Sequence, residues 1–221
     1  MRILVVTGGT IHPDIASDFL RHKQFDKVIC ADAGLAIMER MRALGIDRRP
    51  DIIVGDFDSA SSGLVDYYTG FEDVVIKRYS PEKDVTDTCL AMQEAMALCG
   101  PGDEIIMIGA TGTRMDHTLA NIFLMREPFE KGIRTYILDP YNKIYLLSGR
   151  KEFEKKRMYG SFLSLIALTD SMTIDIEGFE YDVKDKVVKR EEGLCLSNLL
   201  DGKEGAIDVK DGIAIVFEVK D

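Results

Sequence analysis

Two aspartates that stand two positions apart carry the strongest chemical signal in this sequence. Asp56 and Asp58 follow a short apolar run that ends at Val54. In an extended chain such residues project to the same side, and two carboxylates about 4 Å apart repel by roughly 4 kcal/mol at an effective dielectric constant near 20. A divalent cation relieves this repulsion, and oxygen ligands favour Mg²⁺. The pair indicates either a magnesium site or a solvated turn in which Asp58 or Ser59 caps the next helix.

A second acidic pair, Asp84 and Asp87, stands at the start of a predicted helix. In that place Asp84 would cap the helix, and Asp87 would be favoured in its first turn by the helix dipole. If the helix start faces the Asp56–Asp58 loop, Asp87 could instead complete the metal site. The sequence leaves both interpretations open.

A third group, Arg114, Asp116 and His117, lies between a glycine-rich turn and a helix predicted to start near Thr118. Backbone amides at a helix start suit a phosphate, and the arginine offers a planar charged fork. The alternative is that Asp116 is an N-cap beside a surface arginine. No spacing suggests a covalent nucleophile, and no P-loop motif occurs. The residues favour phosphoryl or pyrophosphoryl transfer, which depends on positioning and charge neutralisation.

The elements that must position these residues alternate between strand and helix. Helical spacing is clearest from Val85 to Cys99, and a second helix is predicted over Leu35–Leu44, closed by Gly45. Apolar strands that alternate with helices indicate a parallel sheet, whose ligands bind beyond the carboxyl ends of the strands. The predicted strands are Ile3–Thr7, Val28–Ala31, Ile52–Val54, Val74–Lys77, Ile105–Ile108 and Thr135–Leu138.

The pattern changes after about Gly149. The charged stretch Arg150–Arg157 indicates a boundary or an exposed turn, and short apolar runs separated by turn formers follow it. This pattern predicts a small antiparallel β domain, most simply a sandwich. Its predicted strands are Ser161–Leu168, Met172–Ile176, Val183–Val188, Leu194–Leu199, Ile207–Val209 and Ile213–Val219.

Composition narrows the class of protein. The 221 residues carry a net charge of −10, which argues against a general nucleic-acid binder, and their 46% hydrophobic content excludes a wholly disordered chain. The apolar runs are strand-sized, so no membrane span is expected. Four cysteines without CxxC spacing and an opening without a secretory signal predict free thiols in the cytoplasm.

Four blocks in order resemble the thiamine pyrophosphokinase family. The family's PDxIxGDFDS and GGRxDHxLAN blocks have close counterparts, and the similarity extends into the β domain through Gly178–Tyr181 and Leu196–Asn198. The blocks here are ADAG at 31–34, PDIIVGDFDS at 50–59, KDVTD at 83–87, and GATGTRMDH at 109–117 followed by LAN at 119–121. Two departures are Ala33 and Thr113, each of which stands where the family has glycine.

The resemblance implies an enzyme that moves the terminal diphosphate of ATP onto the hydroxyethyl group of thiamine and releases AMP. It implies a magnesium site and a homodimer in which the partner's β domain completes the thiamine cleft. The implied residues are Asp56, Asp58 and Asp87 for metal and catalysis, with Asp84 uncertain, Asp116 for catalysis, Asp32, Arg114, His117 and Asn142 for ATP, and Tyr181, Ser197 and Asn198 for thiamine.

The sequence therefore predicts an α/β protein with two domains. Residues 1–148 would form a Rossmann-like ATP- and Mg²⁺-binding catalytic domain, and residues 149–221 a β-sandwich for thiamine binding and dimerisation. Two other functions stay open: a pyrophosphokinase for a pterin alcohol, and a sensor that binds thiamine or a nucleotide without turnover. Tyr181 and Ser197–Asn198 favour thiamine over a pterin, and so many carboxylates around a phosphate argue against a pure binder.

Overall fold

The computed structural model describes residues 1–22, 24–46, 48–57, 62–80, 82 and 84–220. Contacts within the chain divide it into two compact units, Met1–Asp139 and Pro140–Asp221. The first contains a parallel sheet with helices, and the second contains an antiparallel β region. The mixed α/β fold with these two kinds of sheet is thereby confirmed.

The parallel sheet of the first unit has six strands in the order β6-β5-β1-β2-β3-β4. In the central strand β1, Ile3 to Val6 are all fully buried, as expected of a strand in the middle of a parallel sheet. Every prediction of a strand here is confirmed to within two residues at each end. The strands are β1 (Arg2–Val6), β2 (Lys27–Ala31), β3 (Ile52–Gly55), β4 (Val75–Arg78), β5 (Glu104–Ile108) and β6 (Arg134–Leu138).

The strand order reverses next to β1, which pairs with β2 on one side and with β5 on the other. The segments that follow β1 and β5 therefore both start at the same edge of the sheet, on neighbouring strands. In open α/β sheets such a reversal forms a crevice beyond the carboxyl ends of the strands. The topology thus brings the segments after Val6 and after Ile108 together.

Six α-helices belong to the described part of this unit. The helix predicted over Leu35–Leu44 ends as expected, because Gly45 adopts a φ of 76° and Ile46 N–H donates to the Met41 carbonyl. The helices are α1 (Pro13–His22), α2 (Leu35–Ala43), α3 (Ser62–Tyr68), α4 (Asp87–Leu98), α5 (Met115–Leu124) and α6 (Arg126–Glu130).

The buried face of α4 matches the predicted one only in part. The predicted stripe runs from Val85 to Cys99. Its member Met92 is buried, but Val85 is 39% exposed, and the other buried residues of the helix are Leu90, Ala91 and Ala95. Helix α4 packs against β2 and β3, and the small side chains of Ala91 and Ala95 allow a close approach. Periodicity alone did not separate these two overlapping apolar faces.

The second unit is built around one long strand. Strand β12 pairs antiparallel with β7, β8 and β9, while β10 pairs with β9 and β11 with β8. Strands β8 and β9 bury every second residue, so one face of each is covered. The strands are β7 (Asn142–Glu154), β8 (Phe162–Ala167), β9 (Ser171–Glu177), β10 (Val183–Lys189), β11 (Asn198–Leu199) and β12 (Glu204–Val219).

Two sequence-based predictions for the second unit are wrong. Arg150 to Glu154 belong to β7, because their charged side chains alternate outward and pair, as Arg150 does with Glu152 at 2.8 Å. The strands predicted separately over Ile207–Val209 and Ile213–Val219 are parts of one continuous strand, β12, which has an irregularity between them where Gly212 has a φ of 80°. A bulge and a turn use the same residue types, so composition did not distinguish them.

The four cysteines Cys30, Cys89, Cys99 and Cys195 are free thiols, as predicted. Among the helices described here, none combines the length and the apolar character needed to cross a bilayer.

Candidate active site

A cavity of about 520 Å³ opens at the edge of the parallel sheet where the strand order reverses. Its walls come from the segment after β1, the segment after β5, and the first turns of α4 and α5. Residues that line it include Thr7–Thr10, Ala31, Ala33, Thr86–Thr88, Gly109–Arg114, His117, Thr118 and Asn121. The two glycine-containing segments that the sequence singled out thus line one cavity in the first unit.

Backbone hydrogen bonds join these two segments. Gly9 N–H donates to the Gly109 carbonyl at 2.8 Å, and Thr10 N–H donates to the Thr111 carbonyl at 2.8 Å. The ladder between β1 and β5 therefore continues past the ends of both strands. Since the backbone polar groups of each segment are partly satisfied by the other, the floor of the cavity is preformed.

Ala33, one of the two departures from the family's pattern, lies against this floor. A Cβ built on Gly8 would stand only 2.3 Å from the Cβ of Ala33. The Ala33 methyl group therefore occupies the space that a side chain at position 8 would need, and it lines the cavity. The consequence of this departure is a small apolar contact surface over Gly8.

Three carboxylates converge beside the cavity. Asp32 begins the 3-10 turn after β2, Asp56 follows β3, and Asp87 is the first residue of α4. One oxygen atom from each lies within 4.8 Å of the others, and Asp32 is only 5% exposed. A set of three hard oxygen donors in this arrangement fits Mg²⁺, which is bound by carboxylates together with substrate phosphates.

The three residues agree only in part with the predicted metal ligands. Asp56 and Asp87 were predicted, and the structure brings them together. Asp58, the third predicted ligand, lies outside the described residues, as does Ser59. The third carboxylate found here is Asp32, which the resemblance assigned to ATP and which the sequence did not single out as a possible metal ligand.

Asp56 owes its position to a strained backbone. The next residue, Phe57, has a φ of 56°, a left-handed conformation that is costly for a bulky side chain. Its ring is 6% exposed and lies under the Arg78 guanidinium, whose Cζ is 5.0 Å from the ring centroid. Burial of the ring and this cation–π contact offset the strain, so the turn that presents Asp56 is fixed.

Helix α4 is capped by Thr86. The Thr86 hydroxyl accepts a hydrogen bond from Cys89 N–H at 3.2 Å, while Asp84 is exposed and precedes the cap. The interpretation of Asp84 as N-cap is therefore wrong, because Thr86 stands at the correct spacing for the orphan amides. Asp87 does lie in the first turn, where the helix dipole stabilises a carboxylate.

Arg114 and Asp116 form an ion pair at the entrance to α5. The Arg114 Nη2 lies 2.6 Å and its Nε 3.2 Å from the two carboxylate oxygens. These hydrogen bonds lower the pKa of Asp116 to about 2, although both side chains are largely exposed. The helix begins at Met115, before the predicted Thr118, so Asp116 belongs to its first turn and is not the N-cap.

Tyr181 and Asn198, two of the three predicted thiamine-binding residues, line a cavity of about 380 Å³ in the second unit. Tyr181 is 68% exposed at its rim, beside Glu180 and Asp182. Asn198 is 4% exposed, accepts from Tyr181 N–H at 3.1 Å and donates to the Tyr181 carbonyl at 3.0 Å. Asn198 thus fixes the backbone that presents the tyrosine ring.

Ser197, predicted to bind thiamine, and Asn142, predicted to bind ATP, also lie in the second unit. Ser197 adopts a φ of 56° and its N–H donates to the Ser164 hydroxyl at 2.9 Å. Asn142, assigned to the nucleotide, is the first residue of β7 in the second unit, in register with Val219.

Comparison with known proteins identifies the two parts of the chain. Residues 20–137 match the model of the thiamin pyrophosphokinase catalytic domain, and residues 151–214 match that of the thiamin pyrophosphokinase vitamin B1 binding domain. A thiamine pyrophosphokinase from Bacillus subtilis is 32% identical over 146 residues, which span 65% of this chain and 66% of that protein.

Solved structures agree with this result. A thiamin pyrophosphokinase family protein from Enterococcus faecalis is 28% identical with a TM-score of 0.77, and the alignment covers 100% of both chains. A thiamine pyrophosphokinase from Bacillus subtilis has a TM-score of 0.82 at 24% identity, again over 100% of both chains, and supports the fold. Because the catalytic-domain match alone spans more than half of the sequence, the chain belongs to the thiamin pyrophosphokinase family.

Proposed function

We propose that this chain transfers the terminal diphosphate of ATP to the hydroxyethyl group of thiamine, giving thiamine diphosphate and AMP. The observation that carries the proposal is the convergence of Asp32, Asp56 and Asp87 next to a preformed cavity. Membership of the family supports the same reaction, and the second matched domain is named for vitamin B1 binding.

Mg²⁺ would be held by Asp32, Asp56 and Asp87, with Asp58 as a further expected ligand. When bound, it would neutralise the phosphate oxygens of ATP. The carboxylates repel one another in the cation's absence, since their oxygens lie within 4.8 Å, and this repulsion favours uptake of a divalent cation. The rigid turn at Phe57 would keep Asp56 in place without a change of backbone on binding.

The chain's own residues would bind and orient the phosphates. Arg114 offers two donors, which are occupied by Asp116 in this structure and could turn to a phosphate. The lowered pKa of Asp116 makes it a weak proton acceptor near neutral pH. We therefore assign Asp116 the role of orienting Arg114, and not that of a general base that deprotonates the thiamine hydroxyl. His117 lies at the cavity wall.

Thiamine would be bound by residues of the second unit. The exposed Tyr181 ring suits a cationic thiazolium or a flat pyrimidine, and Glu180 and Asp182 add negative charge at the same cavity. Ser197 would supply a hydroxyl, while Asn198 would hold the tyrosine segment. Asn142 would contact the nucleotide. These assignments include a homodimer in which the partner's β domain completes the thiamine cleft.

The finer points of architecture belong to the same proposal. The reversal of strand order beside β1 supports a Rossmann-like interpretation of residues 1–148 as catalytic domain. Residues 149–221 would form a β-sandwich for thiamine binding and dimerisation. Free cysteines are consistent with a cytoplasmic location.

The reaction is tested by incubating the protein with ATP, Mg²⁺ and thiamine and following AMP and thiamine diphosphate together. Equal amounts of both products, abolished by EDTA, are expected. ADP in place of AMP would mean transfer of a single phosphoryl group and would refute the mechanism. Asp58→Asn and Asp56→Asn should each lower turnover by orders of magnitude without unfolding the protein; full activity in either folded variant would contradict the metal assignment.

Two other functions predict different results in the same assay. A sensor would bind thiamine saturably without forming product, and a pterin pyrophosphokinase would use a pterin alcohol and ignore thiamine. Both are less favoured than the proposed reaction, because both matched domains carry the thiamin pyrophosphokinase name.

A further inference from the structure

Two buried polar side chains hold the segment that follows β5, and neither has a part in the reaction described above. Asp139, which directly follows β6, is 7% exposed, and its Oδ2 accepts a hydrogen bond from the Thr111 hydroxyl at 2.9 Å. Asn121 on α5 is 6% exposed, and its Nδ2 donates to the Ala110 carbonyl at 2.8 Å. Two adjacent residues of one segment are thus anchored to two different elements.

The same segment is fixed from a third direction by the loop after β1. The carbonyls of Gly109 and Thr111 accept from the backbone of Gly9 and Thr10. Residues 109–111 therefore have little freedom, while Gly112, Thr113 and Arg114, which follow them, line the cavity. The position of the Arg114 backbone depends on where Thr111 is held.

We propose that Asp139 is a positioning residue for the nucleotide site: through the Thr111 hydroxyl it fixes the segment Gly109–Arg114, which forms the cavity wall and presents Arg114. A hydroxyl-to-carboxylate hydrogen bond is a strong anchor, because one partner is charged. Its burial also means that loss of the hydroxyl leaves the carboxylate without this donor. The consequence for the nucleotide rests on the proposed function, whereas the positioning of the segment does not.

The first test measures amide hydrogen exchange in the whole protein. Thr111→Val removes the hydroxyl at nearly constant volume, and Thr111→Ser restores it. Thr111→Val should speed exchange at the amides of Gly9 and Thr10, which donate to the Gly109 and Thr111 carbonyls, by about tenfold. Exchange elsewhere should be unchanged, and Thr111→Ser should be close to the unaltered protein. An unchanged exchange rate in Thr111→Val would overturn the proposal, whatever the protein's activity.

A matched control is available on the neighbouring strand. Thr135 in β6 is 6% exposed, and its hydroxyl makes no hydrogen bond. Thr135→Val is therefore the same chemical change at a buried threonine whose hydroxyl has no hydrogen-bond partner, and it should leave exchange at the Gly9 and Thr10 amides unaltered. If both valine variants speed exchange equally, the effect is general loosening and the proposal fails.

The second test measures consequences for the nucleotide. Thr111→Val should raise the Kd for ATP and the KM for ATP about tenfold while leaving kcat and the KM for thiamine within twofold. In an Asp139→Asn background, Thr111→Val should add less than a twofold loss, because the two residues act as one unit. Independent, multiplying effects would contradict this coupling. Faster exchange in a protein that never binds ATP would refute the proposed function and leave the positioning role standing.

Discussion

Gly55 and Asp32 lie in contact at the carboxyl ends of adjacent strands: a Cβ built on Gly55 would be 2.6 Å from the Cβ of Asp32 and 3.1 Å from the Phe57 ring. Strands β2 and β3 pair in parallel with Ala31 opposite Val54, so residues 32 and 55 leave the sheet side by side. The missing side chain at position 55 gives the Asp32 carboxyl group the room to reach Asp56 and Asp87.

Gly55→Ala should therefore disturb the carboxylate cluster. The added methyl group must displace Asp32, which costs about 1–3 kcal/mol of folding free energy and lowers Tm by roughly 2–10 °C. A larger loss is expected in turnover at low Mg²⁺, with partial recovery as the Mg²⁺ concentration rises. Thermal unfolding and initial rates over a Mg²⁺ series provide the measurement.

Gly63→Ala is the matched control for this prediction. A Cβ at Gly63 in α3 meets nothing within 4 Å, and alanine is favoured over glycine in a helix by about 1 kcal/mol at most. This variant should keep full activity and unfold at the same or a slightly higher temperature. Equal losses in both variants would show that the contact between Gly55 and Asp32 is unimportant.

Asp56→Asn should make the protein more stable when no divalent cation is present. Each pair of charged carboxylates within 4.8 Å repels by about 3 kcal/mol at an effective dielectric constant near 20, and the surrounding groups offset part of this. Removal of one charge should raise Tm in EDTA by a few degrees. The same variant should lose most of the rise in Tm that Mg²⁺ gives the unaltered protein through binding to the folded state.

The control for this prediction is Asp66→Asn, the same change at an exposed acid on α3. It should alter neither Tm in EDTA nor the response to Mg²⁺. If Asp56→Asn also leaves both unchanged, the three carboxylates do not form a cation site.

The sequence predicted the secondary-structure elements of this site better than it predicted which residues come together in space. Short Ile and Val runs identified the six parallel strands of this unit. In the central strands, such as β1, burial on both faces leaves no polar positions, whereas the edge strand β4 is exposed or half-buried throughout. Asp56 was identified by its spacing, but the place of Asp32 depends on β2 and β3 being adjacent, which no local pattern encodes. The pairing of Thr111 with Asp139, 28 positions apart, has the same origin.

The remaining differences between prediction and structure arise where the local sequence allows two alternative conformations. Thr86 and Asp84 are both good N-cap residues, and the choice between them depends on where the first helical turn can pack. Strand β7 was missed as a whole, since no strand was predicted between Leu138 and Ser161, and beyond Gly149 its polar face carries charges that resemble a turn. In both cases tertiary packing selected between options of similar local free energy.

The ion pair between Arg114 and Asp116 should persist over the whole pH range in which the enzyme is assayed. The pKa of Asp116 is lowered to about 2 by its hydrogen bonds to Arg114, below the unfolded value of about 3.9. Such a carboxylate stabilises the folded state above about pH 4, and the contribution is lost as the pH falls toward 2. The KM for ATP should therefore show no inflection from Asp116 between pH 5 and 9.

Carboxyl NMR of the protein measures this directly. In Arg114→Ala, the pKa of Asp116 should rise toward 4, because the hydrogen bonds that favour the charged form are gone. Arg114→Lys keeps the charge but lacks the fork, and should give an intermediate value with a higher KM for ATP. An unchanged Asp116 titration in Arg114→Ala would show that the ion pair does not form in solution.

Glu218 should be the most sensitive charged position in the second unit. This carboxylate is 2% exposed, accepts from the Lys143 ammonium at 3.2 Å and the Tyr145 hydroxyl at 2.9 Å, and also accepts from Tyr159 N–H at 2.6 Å. Glu218→Ala removes the acceptor of all three donors, including the buried carboxylate that faces the Lys143 ammonium, which should cost about 3–5 kcal/mol.

Tyr145→Phe separates the contribution of a single donor from that of the charge. It removes one hydrogen bond to Glu218 and keeps the ring, so it should cost only about 1 kcal/mol. Urea unfolding of both variants gives the two values. Because Glu218 also raises the pKa of Lys151, which burial holds below its usual range, Glu218→Ala should lower that pKa further. A loss below 1 kcal/mol in Glu218→Ala, with an unchanged Lys151 titration, would contradict the stabilising role assigned to these three hydrogen bonds.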